Sequence, residues 1–270
     1  MPYEDPHKWS RKITKYFLIA TVCPFESKKL DRKVMQELWR GAIDKMPKGQ
    51  AGAILLEAHP MFNNGKYATY NLAIVTGIAT LPPEDMKVIV KTLQPYLLPD
   101  KFGYENTFRA LSKLKDQCLI VLKQALPFLR LRQTQETECC DSVVSRIIEE
   151  TAKLLFKKTQ GKKILEWTST LAEERRDVLE IIRAIKRIGS AFRSEVIKRL
   201  GPHLKKSGLP CDSQISAADI LNEVVKFPEN RILQVVKRAQ VQFVYYKIHN
   251  PRCSLSLMAK RDFIRDLSLT

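Results

Sequence analysis

The stretch KYATYNLAIVTGIAT, residues 66–80, runs directly into LPPED, residues 81–85. Apolar residues on every side of the first segment predict a helix that is buried all round. The prolines and acids of the second segment predict a turn that leads into the next helix. Because a helix of this kind must be covered by other helices, the stretch predicts an all-α bundle built around it.

Outward from this stretch, apolar residues recur every three or four positions, which is typical of amphipathic helices. The further predicted helices cover residues 10–21, 28–41, 51–59, 105–125, a segment from Asp141, 170–200, a segment from Ser216, and 230–249. Their predicted end signals are Pro24, Ser27, Pro60, Pro127, Asp141, the capping boxes Thr170–Glu173 and Ser216–Asp219, Gly201-Pro202, and Asn230.

The run Lys157–Lys163, which contains Gly161, is typical of a linker. We therefore predict two helical-bundle domains joined by a short linker. The N-terminal bundle would cover residues 1–160, and a smaller C-terminal helical domain would cover residues 164–270.

Charge is distributed unevenly along the chain. The formal net charge is +17 and the isoelectric point is near 9.6, yet residues 51–100 contain three lysines against four acids. The remaining residues therefore carry +18, divided among at least three predicted helical surfaces near residues 109–123, 146–163 and 183–206. A near-neutral apolar centre surrounded by basic helices favours a polyanionic partner, such as an anionic membrane or nucleic acid.

Two segments are especially one-sided in charge. Residues 181–206 hold eight Lys or Arg against Glu195 alone, and residues 151–165 hold five Lys and no acid. A face that serves solubility alone usually mixes both signs. The candidate anion-binding residues, for lipid or RNA, are Arg109, Lys113, Lys123, Arg146, Lys153, Lys157, Lys158, Lys162, Lys163, Arg183, Lys186, Arg187, Arg193 and Lys198.

Motifs of catalysis and metal binding are missing from the sequence. The four histidines are not spaced as metal ligands, the six cysteines form no Cys-x-x-Cys, and no phosphate-binding loop or nucleophile elbow occurs. The acids Glu173, Glu174 and Asp177 are typical of a helix start. We therefore predict a protein that is not an enzyme, with reduced thiols, no cofactor and no metal.

Any membrane contact is predicted to be peripheral. No stretch approaches the ~20 apolar residues of a membrane span. The apolar run Tyr16–Cys23 is short for a signal peptide and ends at Pro24, and Pro2 excludes myristoylation.

Lipid and nucleic acid are hard to separate at this point, because both give salt-sensitive affinity for basic residues. Sequence-specific RNA readers usually add exposed aromatics, whereas Phe192, Phe243 and Tyr246 lie on apolar stripes. Two alternatives stay open: an RNA- or nucleoprotein-binding helical factor without a membrane role, and a helical adaptor that binds a protein.

The order of elements resembles the matrix proteins of the orthomyxoviruses, over about residues 10–160. The run KYFLIATVCP, residues 15–24, precedes an amphipathic segment over Lys28–Gly41, as in the opening of the influenza matrix protein. Tyr70–Leu81 with its proline-acid turn is similar to that family's central helix, and Arg109–Lys123 falls where the family has its basic helix. Low identity to influenza favours the thogotovirus branch, of Thogoto and Dhori type.

The resemblance implies a viral matrix protein. Such proteins self-associate into a layer beneath the envelope and bridge anionic inner-leaflet lipid and viral ribonucleoprotein. The expected locations are the virion and, in the host, the cytoplasm, the inner face of the plasma membrane and the nucleus. Two properties are not carried over: Arg109–Lys115 is less basic than the influenza import helix, and the influenza Cys-x-x-Cys with its histidines is missing, so no zinc is implied.

Overall fold

A computed structural model describes residues 32–62, 68–97, 104–131, 140–156, 160–205, 214–250 and 255–267. Within these ranges the chain is helical and contains no strand. The predicted all-α class is therefore confirmed. The predicted helix over residues 10–21 and the Ser27 cap lie outside the described residues.

The described residues form α1 (Arg32–Ile43), α2 (Ala51–Ala58), α3 (Ala68–Ile78), α4 (Met86–Leu93), α5 (Tyr104–Ser112), α6 (Cys118–Leu129), α7 (Cys140–Leu155), α8 (Gly161–Leu171), α9 (Arg175–Arg187), α10 (Arg193–Leu200), α11 (Ala217–Val225), α12 (Glu229–His249) and α13 (Leu257–Asp266). Short 3-10 turns cover His59–Met61, Gln94–Tyr96, Lys115–Gln117 and Gly201–His203.

The chain divides into two compact units, and the division falls within α7. The first unit takes the described parts of Met1–Leu129 and Glu136–Ala152, and the second those of Arg130–Gln135 and Lys153–Thr270. The linker predicted over Lys157–Lys163 is in part helical, because α8 begins at Gly161. The domain limits at residues 160 and 164 stay a prediction.

In the first unit, α3 packs against α1 and α5, while α4 packs against α2 and α6. The side chains of residues 71–78 are all buried or half-buried, so the prediction of a helix enclosed on every side is confirmed there. A Cβ added at Gly77 would lie 3.0 Å from the Cβ of Phe108. Glycine at this position therefore allows α3 and α5 to approach closely.

The single helix predicted over residues 105–125 is wrong, because the chain breaks between α5 and α6. Lys115 has a left-handed φ of 49° and begins a 3-10 turn. Pro127 was expected to end the helix but lies inside α6, which continues to Leu129. A proline this near the end removes one backbone hydrogen bond without stopping the final turn.

Several other helix ends differ from the prediction by a few residues. Asp141 lies inside α7 because that helix already includes Cys140, and Asn230 lies inside α12, whose N-cap is Pro228. The helix predicted over residues 51–59 ends at Ala58, and Pro60 belongs to the 3-10 turn that follows.

In the second unit, α9 packs against α8 and α11, α11 packs against α13, and α10 packs against α12. The inner side of α9 is apolar, with Val178, Ile181, Ile182 and Ile185 fully buried. Burying a side chain of this size contributes about 1.5–3 kcal/mol to the free energy of unfolding. The unit therefore has an apolar core of its own, around which its basic residues are arranged.

The long helix predicted over residues 170–200 is wrong, because three helices share that region. The Thr170 hydroxyl donates to the Trp167 carbonyl oxygen (2.8 Å) within α8 and does not cap a new helix. The capping box is formed instead by Glu174 and Asp177, whose carboxylate accepts from the Glu174 N–H (3.2 Å). The Ser216–Asp219 box is confirmed, with the Ser216 N–H 2.7 Å from the Asp219 carboxylate.

Candidate polyanion-binding surfaces

The break between α9 and α10 is held by Arg193. Its Nε donates to the carbonyl oxygens of Ile185 (3.0 Å) and Ile188 (2.8 Å), and its Nη2 donates to that of Lys186 (2.7 Å). The last carbonyls of a helix have no partner within the helix, and the helix dipole favours a cation beside them. Arg193 therefore stabilises the C-terminal end of α9.

The same guanidinium also positions the start of α8. Its Nη1 donates to Gln160 Oε1 (3.2 Å), and Gln160 Nε2 donates to the Ser190 carbonyl oxygen (3.3 Å). Gln160 has a left-handed φ of 68°, and a Cβ added at Gly161 would lie 1.8 Å from the Leu154 carbonyl oxygen. Only glycine fits there, so the sequence Gln160-Gly161 fixes where α8 begins.

Lys163 adds a further contact between α8 and α10. Its Nζ donates to Ser194 Oγ (3.1 Å) and lies 5.3 Å from the centroid of the Trp167 ring, within cation–π range. We name the region of Gln160, Lys163, Ser190, Arg193 and Ser194 the α8–α10 junction. It brings together residues 160–163 and 190–194, which the sequence assigned to two separate basic surfaces.

Most candidate residues in the described part of the second unit are exposed. Lys162, Lys163, Arg183, Arg187 and Lys198 are exposed, while Lys186 and Arg193 are half-buried. The Arg187 Nη1 donates to Asn222 Oδ1 (3.3 Å) at the surface.

Glu195, the one acid in residues 181–206, does not offset the charge of the candidate anion-binding residues. Glu195 forms its ion pair with Arg199, which is not among the candidate anion-binding residues. The basic character predicted for residues 181–206 is therefore present at the protein surface.

The remaining candidates lie on other elements. Arg109, Lys113 and Lys123 are exposed in the first unit, and Arg146 is half-buried on α7. The break at Lys115 means that Arg109 and Lys123 do not share one continuous helix. Lys153 is exposed near the end of α7, and Lys157 and Lys158 lie outside the described residues. Anion binding by all these residues stays a prediction.

Among the described residues, two groups have a shifted pKa. The pKa of His203 lies below its ordinary value because of burial and of the nearby charges of Lys260 and Lys247. Burial, with Asp85 and Asp116 nearby, raises the pKa of the Cys118 thiol to about 11, and its Sγ donates to the Leu111 carbonyl oxygen (2.7 Å). Cys118 therefore stays a neutral thiol at physiological pH.

In the part of the chain that the structure describes, no three His, Cys, Asp or Glu side chains are grouped as a metal site requires. Nor do the described ranges contain a helix both long and apolar enough to span a bilayer.

Sequence reasoning missed Gln160 and Trp167. Lys163 and Trp167 are four residues apart, a spacing that places both on one side of a helix and could have suggested their contact. Gln160 carried no such signal, since its partners lie 30 and 33 residues further along the chain.

Comparisons of the chain with protein-family models, with curated proteins and with solved structures find no match.

Proposed function

We propose that the chain is a non-enzymatic viral matrix protein that self-assembles beneath the envelope and bridges anionic inner-leaflet lipid and viral ribonucleoprotein. The observation that carries the proposal is the α8–α10 junction, which joins two basic segments, residues 160–163 and 190–194, outside an apolar core. Grouped cations raise the local concentration of a polyanion more than the same charges scattered over a surface. The resemblance to orthomyxovirus matrix proteins supplies the viral setting of the proposal.

The basic residues have two roles in this proposal. Arg193 directs three of its five N–H donors to α9 carbonyls and Gln160, so it positions the helices that carry the other cations. Lys162, Lys163, Arg183, Arg187 and Lys198 are exposed and provide the anion contacts. Each cation near an anionic leaflet contributes about 1 kcal/mol. Self-assembly then adds avidity to a moderate affinity for each subunit.

A second group of exposed basic residues favours a protein that binds two polyanions over one that binds a single polyanion. Arg109, Lys113 and Lys123 belong to the first unit, whereas the junction belongs to the second. Separate basic groups on separate units suit a protein that holds two polyanions, one lipid and one ribonucleoprotein.

Vesicle pelleting across a salt series tests the membrane half of the proposal. The full chain is expected to sediment with phosphatidylserine vesicles at low salt, to bind less as salt rises, and to ignore neutral phosphatidylcholine vesicles. No binding to phosphatidylserine even at low salt would contradict this half. Tight RNA binding in the same buffers, without vesicle binding, would favour the RNA- or nucleoprotein-binding factor.

Sedimentation over a range of protein concentrations, pH and salt tests self-assembly. We expect a concentration-dependent oligomer, and a strict monomer under every condition would remove the basis for a layer. The adaptor alternative predicts instead a protein partner whose binding survives reversal of Arg183 and Arg187 to Glu.

A further inference from the structure

The C-terminal half of α12 carries an apolar stripe on its outer side. Val241, Val244, Tyr245 and Ile248 are 68%, 39%, 57% and 67% exposed. Their spacing of three, four and seven residues places them on one side of the helix. We name these four residues the α12 stripe.

The α12 stripe is not part of the apolar core of the second unit. Phe243, on the opposite side of α12, is 3% exposed, and its ring lies 6.2 Å from that of Phe263 and 5.7 Å from that of His203, centroid to centroid. Val236 and Ala239 are fully buried on that same inner side. The helix therefore already buries one apolar side, and the stripe is a second apolar side turned to the outside.

The outer side of α12 changes character along its length. In the first half it presents the exposed polar residues Asn230, Gln234, Lys237 and Arg238. The stripe begins directly after Arg238 and continues to the last turn. Single exposed apolar residues are normal, but four of them together on one side of a helix favour a non-aqueous neighbour.

The charges around the stripe indicate what that neighbour carries. Lys237 and Arg238 are exposed at its N-terminal end, and Lys247 is exposed beside it. Between Arg231 and Asn250 the sequence contains no Asp or Glu. A fitting partner therefore combines apolar surface with negative charge, and tyrosine, here Tyr245, is a residue that favours the boundary between water and lipid.

A second copy of the chain fits these features less well than a bilayer does. Specific protein interfaces bury about 800 Å² on each partner, of which four side chains supply only a part. Symmetric pairing of two stripes would also bring the basic residues of both copies together, and like charges across an interface repel. A bilayer requires no minimum area, and its anionic headgroups attract the same cations.

We propose that the α12 stripe inserts into the interfacial region of an anionic bilayer, with Lys237, Arg238 and Lys247 at the level of the headgroups. The inference rests on the lipid half of the proposed function and adds to it an apolar contact that does not depend on salt. Basic residues would bring the protein to the membrane, and the stripe would hold it there.

Fluorescence of the Tyr245→Trp variant tests insertion directly. With phosphatidylserine vesicles, the emission that this variant adds to the parent spectrum is expected to shift to shorter wavelength. It is also expected to be quenched by lipids brominated in their acyl chains. An added emission that stays at its aqueous wavelength while the protein is vesicle-bound would overturn the inference.

A paired substitution measures how much the stripe contributes. Val241→Ser with Ile248→Ser is expected to weaken vesicle binding at least tenfold in 0.5 M salt, where attraction between exposed charges is largely screened. Val88→Ser with Ile120→Ser is the matched control, because these side chains are also exposed (48% and 59%) but lie on α4 and α6. The control is expected to bind like the parent, and circular dichroism should show parent helix content in both variants.

The remaining outcomes separate this inference from the proposed function. If the parent binds phosphatidylserine only at low salt and the stripe variant binds equally, insertion is wrong while the lipid contact stands. Parent binding that fails at every salt concentration overturns both. If the stripe variant loses self-association but keeps vesicle binding, the stripe is an interface between copies, and the inference is wrong.

Discussion

Helices α4 and α9 share a buried apolar side and an exposed pair of cations but lie in different electrostatic surroundings. Each completely buries four bulky apolar side chains: Met86, Ile89, Val90 and Leu93 in α4, and Val178, Ile181, Ile182 and Ile185 in α9. Each also presents a pair of exposed cations four residues apart, Lys87 with Lys91 and Arg183 with Arg187. Neither the apolar side nor the basic pair distinguishes the two helices.

Their neighbours do distinguish them. Acids directly precede both helices, at residues 84–85 before α4 and at residues 173–174 before α9, so the difference lies at their C-terminal ends. At its C-terminal end α9 meets Arg193 and, through the α8–α10 junction, Lys163. Under the proposed function, we expect a basic pair to bind a polyanion only where tertiary contacts place further cations beside it.

Gly161→Ala is expected to have the largest effect, because it would displace α8, which carries Lys163 of the α8–α10 junction. A Cβ at this position would lie 1.8 Å from the Leu154 carbonyl oxygen, so α8 must shift. We expect a loss of about 3 kcal/mol in the free energy of unfolding, measured by urea denaturation.

Gly41→Ala is its matched control, since a Cβ at Gly41 meets nothing within 4 Å. Alanine is the better helix former by about 1 kcal/mol, so this variant should be as stable as the parent or more so. Equal destabilisation by both alanines would show that the close approach at Gly161 is unimportant.

Arg193→Met tests whether this residue mainly positions the junction. The variant leaves the carbonyl oxygens of Ile185, Lys186 and Ile188 without their cation, and we expect a loss of about 2 kcal/mol by urea denaturation. Lys198→Met removes an exposed charge from α10 and should change stability by less than about 0.5 kcal/mol. If the two variants lose the same small amount, Arg193 does not hold the end of α9.

Lowering the pH should reduce the free energy of unfolding of the second unit because of His203. Burial and the charges of Lys260 and Lys247 lower the pKa of His203 in the folded chain below its ordinary value of 6.5, so the unfolded chain binds the proton more readily. Stability should therefore be constant above about pH 6.5 and fall as pH decreases below it, by at most about 1.4 kcal/mol per pH unit for one proton.

Urea denaturation of the parent and of His203→Gln between pH 7.5 and 5 checks this. The variant should lack the part of the slope that begins near pH 6.5. If the free energy of unfolding of the parent and of His203→Gln depended on pH in the same way throughout, His203 would not cause the loss of stability in acid.

The helix interiors could be predicted from the sequence, but two helix breaks could not. The apolar stripe from Ile181 to Leu200 stays in helical register across the break between α9 and α10, so its periodicity does not reveal the break. At Lys115 there is no glycine or proline to mark the turn, although the backbone is left-handed there. Periodicity reports which residues face inward, and it is insensitive to a short interruption.

The candidate site was predictable residue by residue but not as an arrangement. The counts of Lys and Arg identified the basic segments, and the exposed state of Arg183 and Arg187 follows from the same helical pattern. The Lys163–Ser194 contact joins residues 31 positions apart, and no spacing rule predicts it. In α12, both sides of residues 241–248 are apolar, and the packing of Phe243 against Phe263 decides which side remains outside.

The most direct test of the account compares two charge reversals of equal size. Arg183→Glu with Arg187→Glu, and Lys87→Glu with Lys91→Glu, each change the net charge by the same amount on exposed positions. Each places an acid in the last turn of a helix, so each should lower the free energy of unfolding by about 1 kcal/mol and leave the variant folded. We predict that the α9 reversal weakens binding to phosphatidylserine vesicles at low salt at least thirtyfold, about 2 kcal/mol, while the α4 reversal changes it less than threefold. Equal weakening by both reversals would show that net charge alone drives binding, which would contradict the account.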